Sequence, residues 1–199
     1  GPICDVRPDN DVCAPDGDLE GARLMTDVPP SSAESDSGRA TTDATDPGFG
    51  CYVDNFGATG LQTVWYKFVA TDTSALLQTC LSNSPAEDSL LGVFAVGDPT
   101  DEITQCNSLI PLACDDDRAG CSDTGKNSKI CARPLIPGNL YYVMVAAKFA
   151  EDPGKAYRLD ISSGCGSPVE GSINNYCPAA TPIFDGTTAF NLAPESMDV

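Results

Sequence analysis

Short apolar segments alternate with polar turns between residues 61 and 162, and no stretch keeps a 3.6-residue hydrophobic period over three turns. The apolar segments are rich in β-branched and aromatic residues, and clusters of Thr, Asp, Gly and Pro separate them, which is typical of strands joined by turns. Tyr157, Leu159 and Ile161 occupy alternate positions, as in a strand with one buried face. The pattern predicts strands at residues 62–70, 75–81, 90–96, 103–106, 129–133, 140–147 and 156–161.

Seven predicted strands with turn signals between them favour an all-β fold in which two sheets pack as a β-sandwich. Residues 27–50 are mainly Ser, Thr, Asp, Pro and Gly with almost no apolar content, so we expect a long polar loop on the surface. We therefore predict an N-terminal segment at residues 1–8, a sandwich at residues 9–165 and a C-terminal extension at residues 166–199.

The chain has ten cysteines and no histidine. No Cys-x-x-Cys pair is present, so the close spacing of zinc ribbons and thioredoxin-like sites is missing. An even number of well-separated cysteines is typical of disulfides in an extracellular or cell-surface protein. The pairing stays open at this point: Cys114–Cys121 would close a short loop, and Cys13–Cys51 would close a long one. The predicted disulfide cysteines are Cys4, Cys13, Cys51, Cys80, Cys106, Cys114, Cys121, Cys131, Cys165 and Cys177.

The balance of 29 acidic against 11 basic residues gives a formal charge of −18 at pH 7. Such a surface repels nucleic acid and anionic lipid, and it attracts metal cations and basic partners. No apolar run approaches the roughly 18 residues of a membrane span. We predict neither nucleic-acid binding nor membrane insertion.

Catalytic motifs are absent from the sequence, which has no Gly-x-Ser-x-Gly elbow, phosphate loop or dinucleotide fingerprint. The lack of histidine removes the usual general base for a Ser or Cys nucleophile. Pairs of carboxylates are so abundant in this chain that they do not indicate a glycosidase site. We predict no catalytic residue and no enzymatic activity.

Four motifs in a fixed order resemble a known family. They are Val64-Trp65-Tyr66-Lys67-Phe68, Asp88-Ser89-Leu90-Leu91-Gly92-Val93-Phe94, Ala113-Cys114-Asp115-Asp116-Asp117 and Leu140-Tyr141-Tyr142-Val143-Met144-Val145. Together they resemble the bacterial pre-peptidase C-terminal domain (PPC domain), in the cysteine-containing form found as tandem repeats in secreted and surface proteins. The resemblance covers roughly residues 9–162. It implies a jelly-roll-like antiparallel β-sandwich, no catalytic activity and, in many members, bound calcium.

Two acidic groups are candidate calcium sites, because Ca²⁺ binds six to eight oxygen ligands, several of them from carboxylates. Packed carboxylates repel one another and need a counter-ion. The alternative to a calcium site for the first group, to which we give equal weight, is a solvated hairpin tip with Arg118 and Lys126 nearby. Its members, which sheet pairing would bring together, are Asp88, Asp115, Asp116, Asp117 and Asp123.

The second candidate calcium group lies near the N-terminus, where the resemblance implies contact with acidic residues just before the tryptophan-containing strand. Thr63 stands where an aspartate is common in the family, and the missing carboxylate weakens this prediction. The alternative is that Asn10 caps a turn. The members of this group are Asp9, Asn10, Asp11, Asp54 and Asn55.

The C-terminal extension echoes the N-terminal part of the chain. Asn10-Asp11-Val12-Cys13 is answered by Asn174-Asn175-Tyr176-Cys177, and Glu20-Gly21 by Asp185-Gly186. The extension therefore resembles the opening strand of a further repeat, with chance similarity of short strings as the alternative. We expect it to dock on a neighbouring copy or to fold back on its own domain. The predicted docking residues are Thr181, Ile183, Phe184, Thr188 and Phe190.

These inferences predict a non-catalytic extracellular structural subunit that self-associates head to tail into a surface fibre. The alternative is a calcium-stabilised accessory module that attaches a secreted protein to collagen, a polysaccharide or a cell surface. Aromatic side chains can stack on sugars, but Trp65, the only tryptophan, lies in an apolar strand and is expected in the core. Cys177, if it mirrors Cys13, would pair with Cys165, Cys4 or a cysteine of another copy.

Overall fold

The computed structural model describes residues 7–51, 61–80, 88–118, 121, 125–148 and 156–165. The chain divides into two units, Gly1–Cys165 and Gly166–Val199, and every described residue lies in the first. Among the described residues, no helix is long and apolar enough to cross a membrane.

Strands dominate the described part of the chain, which forms an all-β sandwich of two sheets, as predicted. One sheet has the strand order β1-β3-β8-β5-β6 and the other β2-β9-β4-β7. All pairs are antiparallel except β1 with β3. The strands are β1 (Arg23–Met25), β2 (Ser31–Asp36), β3 (Leu61–Val69), β4 (Ala75–Gln78), β5 (Ser89–Val96), β6 (Leu109–Asp115), β7 (Lys129–Ala132), β8 (Leu140–Ala147) and β9 (Ala156–Ser163).

Two apolar clusters lie on opposite faces of the five-stranded sheet. The larger one fills the space between the sheets, where Val64, Tyr66 and Phe68 of β3 meet residues of β4 and β9. The second lies on the outer face, where Trp65 packs with Phe94 and the cover includes part of the loop before β3. Because both faces are buried, β5 and β8 are almost continuously apolar. The expected core position of Trp65 is confirmed, since its side chain is 1% exposed.

The predicted strand at residues 103–106 is wrong. These residues belong to helix α1 (Glu102–Asn107), which begins after Asp101, whose side chain accepts a hydrogen bond from the Thr104 backbone N–H. An aspartate in this position satisfies an otherwise unpaired amide of the first turn, and it thereby favours a helix over a strand. The strand that follows, β6, was not predicted because Pro111 interrupts its apolar run. Pro111 is tolerated because β6 is an edge strand and its register with β5 shifts between Val93 and Phe94.

The prediction that residues 27–50 form a simple polar loop is also wrong. They contain β2, which pairs with β9 along its whole length, and a 3₁₀ turn at Ser37–Arg39. Phe49 is fully buried in the outer cluster. The polar side chain of Ser35 is buried in β2, where it donates to Asn10 Oδ1 at 3.0 Å and accepts from the Tyr66 hydroxyl at 2.9 Å. Hydrogen bonding therefore allows a serine-rich strand to face the core.

Four disulfides brace the sandwich, and they use eight of the ten predicted cysteines. They close stretches of 93, 63, 41 and 34 residues, and loops of this length are worth about 4 kcal/mol each in the chain-entropy model. The pairing was left open from the sequence, and neither of the two loops considered there forms, because Cys13 bonds to Cys106, Cys51 to Cys114 and Cys121 to Cys80. Cys4 and Cys177 lie outside the described residues. The bridges are Cys13–Cys106, Cys51–Cys114, Cys80–Cys121 and Cys131–Cys165.

Candidate metal centre

Sheet pairing brings three acidic residues to one end of the five-stranded sheet. Asp88 stands just before β5, and Asp116 and Asp117 follow β6. In the register of the sheet, Leu91 near the start of β5 lies opposite Asp115 at the end of β6. The carboxylates of Asp88, Asp116 and Asp117 each offer an oxygen within 4.8 Å of the others. Of the first predicted group, the fold therefore brings these three residues together.

Lys148 lies among these carboxylates, because it directly follows β8, whose last residue pairs with the first residue of β5. Its Nζ atom is 3.0 Å from Asp116 Oδ2, 3.2 Å from Asp117 Oδ2 and 3.6 Å from Asp88 Oδ1. The backbone N–H of Lys148 also donates to the Asp88 carbonyl at 2.9 Å. The ammonium group therefore serves as an internal counter-ion for the cluster.

The pKa values reflect this arrangement. Burial raises the pKa of Asp88, Lys148 opposes that shift, and the charges of Asp117 and Asp116 add to it. Burial alone would lower the pKa of Lys148, but hydrogen bonds to Asp116 and Asp117 and the charge of Asp88 outweigh it and raise the pKa well above the ordinary value. Lys148 consequently stays charged at any physiological pH.

Buried hydroxyl groups beneath the cluster fix the ends of the strands that carry it. Ser128 Oγ lies 2.5 Å from the Ser89 carbonyl oxygen, 2.9 Å from that of Asp116 and 3.1 Å from that of Asp115. The Thr79 and Ser89 hydroxyls are 2.7 Å apart and share the same buried network. The one hydroxyl proton of Ser128 has three backbone carbonyls within reach and donates to one of them at a time, so it helps to hold the strand ends that carry the carboxylates.

The cluster has the chemistry of a cation site that is only partly neutralised. Three carboxylates face one ammonium group, and Lys126 adds a weaker positive charge that acts on Asp88. Within the described part of the chain, Asp88 Oδ1 and Asp116 Oδ1 are buried and have no hydrogen-bond partner. Such oxygens are suited to a hard divalent cation like Ca²⁺. The Lys148 ammonium lies where such an ion would bind, so it would have to move aside.

The other members of the first predicted group do not join these three. Asp115 Oδ2 accepts a hydrogen bond from the Lys129 backbone N–H at 2.8 Å, and burial raises the pKa of this carboxyl group. Asp123 lies outside the described residues. The expected basic neighbours also act on the group, since the charge of Lys126 lowers the pKa of Asp88 and that of Arg118 lowers the pKa of Asp115. The ion-pair partner of the three converging carboxylates, however, is Lys148.

The second predicted group is engaged in holding the N-terminal segment. Asn10 Nδ2 donates to the Trp65 carbonyl at 2.9 Å. Asp11 accepts from the backbone N–H of Thr41 at 2.5 Å and from its hydroxyl at 2.8 Å, and it pairs with Arg7 at 3.5 Å. Protein donors therefore surround these oxygens. Calcium binding there stays a prediction.

The remaining residues of the second group add no ligand that the structure describes. The Asp9 carbonyl accepts backbone hydrogen bonds from Glu20 and Gly21 at 3.0 and 3.2 Å, so it fixes the turn before β1. Asp54 and Asn55 lie outside the described residues. So do the predicted docking residues Thr181, Ile183, Phe184, Thr188 and Phe190.

Asp46 is a partly buried carboxylate that was not predicted from the sequence. Its Oδ2 accepts from Thr63 Oγ1 at 2.5 Å and from the Asp43 backbone N–H at 3.1 Å, and its Oδ1 accepts from Trp65 Nε1 at 3.2 Å. Burial raises the pKa of Asp46, and these hydrogen bonds oppose the shift. The available signal was Trp65 itself, since a buried indole N–H needs an acceptor. Thr63 stands at the position where an aspartate is common in PPC domains, and its hydroxyl contacts the Asp46 carboxylate from another segment.

Comparisons with known proteins give matches among solved structures. No protein-family model matches the chain, and no curated protein matches its sequence. One of the solved structures is a cleaved adhesin domain of Lys-gingipain from Porphyromonas gingivalis, which is 12% identical. The match covers 66% of this chain and 91% of that chain, with a TM-score of 0.27. Similarity at this level carries no inference about function, and the PPC resemblance stays a prediction.

Proposed function

We propose that the chain is a non-catalytic extracellular structural subunit whose C-terminal extension docks on a neighbouring copy. The observation that carries this proposal is that the N-terminal segment, which the extension resembles in sequence, attaches to strand β3. In that segment, Asn10 exchanges hydrogen bonds with the backbone of Trp65, and Met25 pairs with Phe68 and packs in the core. A segment of this pattern is thus suited to attach along the edge of a sheet.

The acceptor in this proposal is the open flank of the sandwich, where β1 and β2 are the edge strands of their sheets. Arg23 Nη1 donates to the Glu34 carbonyl at 3.4 Å across this flank. A groove of about 790 Å³ runs beside it, and Leu24 and Lys67 are among its lining residues. Leu24 is 64% exposed. Edge strands present free backbone groups and recruit further strands, so this flank suits an incoming extended segment.

Oxidised cysteines support an extracellular place for such a subunit. Disulfides form and persist in oxidising compartments, and four of them occur within the described residues. Cys165 already pairs with Cys131, so the pairing Cys165–Cys177 is wrong. We propose that Cys4 and Cys177 bond to each other between neighbouring copies. Such a bond would lock an assembly that strand docking begins.

Deleting residues 174–199 tests the assembly. We expect the full chain to form concentration-dependent oligomers or fibres in light scattering and electron microscopy, and the truncated chain to be monomeric. Leu24→Glu should weaken assembly by placing a charge in the groove, whereas Ile136→Glu, at a site 61% exposed elsewhere, should not. A full-length chain that stays monomeric at high concentration would refute the proposal, as would truncated chains that assemble equally well.

A second candidate function, the calcium-stabilised accessory module, is supported by the acidic cluster around Lys148. An ion bound only by the folded state raises the melting temperature, and a chelator reverses the effect. We expect CaCl₂ to stabilise the protein, and Asp117→Asn, which changes the most exposed of the three carboxylates, to reduce the stabilisation. Identical melting curves in CaCl₂ and in EDTA would remove this candidate and leave the assembly proposal unaffected.

A further inference from the structure

The outer face of the four-stranded sheet carries a trough that none of the functions above uses. Its volume is about 300 Å³, and strands β2, β4 and β9 all contribute to it. Both Arg158 and Asp160 project from β9 between buried residues, so they lie on the face away from the core. Its lining includes Ser32, Leu76, Gln78, Arg158 and Asp160.

Polar side chains cross the floor of the trough in a single row. Ser32 of β2 pairs with Asp160 of β9, and Asp160 pairs in turn with Gln78 of β4. Residues that pair across strands have their side chains on the same face, about 5 Å apart. A hydroxyl, a carboxylate and an amide are therefore spaced along a line that crosses the strands, and this row can donate and accept several hydrogen bonds at once.

Asp160 is only partly satisfied within this row. Its Oδ1 accepts from Arg158 Nε at 3.0 Å. Its Oδ2 is buried and has no hydrogen-bond partner among the residues that the structure describes. A buried carboxylate oxygen without a donor costs free energy, and a ligand that supplies one recovers part of that cost. This oxygen has almost no exposed surface, so a hydroxyl group in the trough reaches it only when the Asp160 side chain turns outward.

The charge of the trough differs from that of the molecule. The chain as a whole carries −18, yet one guanidinium and one carboxylate, paired with each other, are the charges that line the trough. The trough itself therefore has no local excess of either charge. Leu76 adds an apolar patch beside the polar row. The ligand that matches is neutral, rich in hydroxyl groups and partly apolar on its C–H faces.

We propose that this trough binds a neutral carbohydrate chain. Asp160 and Gln78 accept and donate to sugar hydroxyls, Arg158 holds the carboxylate in place, and Leu76 contacts a C–H face. The inference extends the accessory-module candidate by naming a ligand and a surface. It depends neither on strand docking nor on calcium, so its failure would leave the tests of both untouched.

Binding of soluble oligosaccharides tests the proposal. The probes are maltohexaose, cellohexaose and mannohexaose, with hexagalacturonate as an acidic comparison, each titrated calorimetrically into the full chain. We expect at least one neutral probe to bind and the acidic one to bind more weakly. Gln78→Ala should weaken binding about tenfold or more, because it removes the amide from the row. Asp160→Asn should weaken it by a similar factor, because it replaces one acceptor oxygen by a donor and removes the charge that pairs with Arg158.

Matched controls separate binding from folding. Asp18→Asn makes the same change at an exposed site outside the trough and should leave the affinity unchanged. Melting curves check that each variant folds, and if Asp160→Asn does not, Gln78→Ala decides alone. Three results would each overturn the inference: no neutral probe binds, hexagalacturonate binds as tightly as the neutral probes, or the trough variants bind like the wild type.

Discussion

Replacing Lys148 by methionine tests the counter-ion role directly, because the variant keeps most of the side chain's length and removes its charge. In the folded protein the Lys148 side chain is 14% exposed, and those of Asp88, Asp116 and Asp117 are 12%, 19% and 51% exposed. Removing one partner of a fully buried pair costs about 3–5 kcal/mol, and exposed pairs are worth about 0–1 kcal/mol. Two carboxylates are nearly buried and one is half exposed, so we expect a loss of about 2–3 kcal/mol at pH 7.

The assay is urea unfolding at several pH values, with Lys67→Met as the matched control. Lys67 is 15% exposed but is ion-paired with one half-exposed carboxylate, Glu102, so its replacement should cost about 1 kcal/mol or less. Burial already raises the pKa of Asp88 and Lys148 opposes that shift, so removing Lys148 raises the folded-state pKa of Asp88 further above its unfolded value of about 4. The folded variant therefore binds more protons, and its stability falls as pH rises through that window. The penalty should be full at pH 7 and shrink toward pH 4.

Calcium should rescue the Lys148→Met variant more than it stabilises the wild type, because three unpaired carboxylates then face the ion. The reasoning would be refuted if Lys148→Met cost no more than Lys67→Met, or if its cost were the same at pH 4 and pH 7. Melting temperatures with and without CaCl₂ complete the experiment.

Three further substitutions probe the elements that position the sheets, each by urea unfolding. Asn10→Ala removes hydrogen bonds of 2.9 and 3.0 Å and should cost about 2 kcal/mol; a neutral result would contradict its anchoring role. Gly92→Ala places a Cβ atom 3.0 Å from the Phe94 ring and should cost about 1–3 kcal/mol unless the ring can move. Trp65→Phe takes a donor from the partly buried Asp46 and should cost about 1–2 kcal/mol, whereas an unchanged midpoint would mean that water replaces the indole N–H.

The strands that can be predicted from the sequence are those whose apolar positions match the buried faces of the sheet. β3, β5, β8 and β9 are apolar on one or both faces, and the structure confirms them. β2 could not be predicted in this way, because its Ser-Ser-Ala-Glu-Ser-Asp sequence has no apolar alternation. It is a strand because β9 offers a partner along six residues and because the buried Ser35 finds hydrogen-bond partners. Tertiary pairing here overrides local preference.

The candidate site shows the same division between local and long-range information. The sequence indicates that Asp116 and Asp117 stand together, and sheet pairing was expected to bring Asp88 beside them. It does not indicate Lys148, because that residue joins the cluster only through the order β8-β5-β6, and strand order is not encoded in any one segment. The same limitation applies to Asp46, which reaches Thr63 and Trp65 from a loop.

The pairing of eight cysteines in four disulfides is the feature on which both the fold and the proposed extracellular role depend. Proteolysis without reductant, followed by mass spectrometry of the linked peptides, tests it most directly. A linked pair Cys13–Cys51 or Cys114–Cys121, or free thiols among these eight cysteines, would contradict the account. The account predicts the linked pairs Cys13–Cys106, Cys51–Cys114, Cys80–Cys121 and Cys131–Cys165.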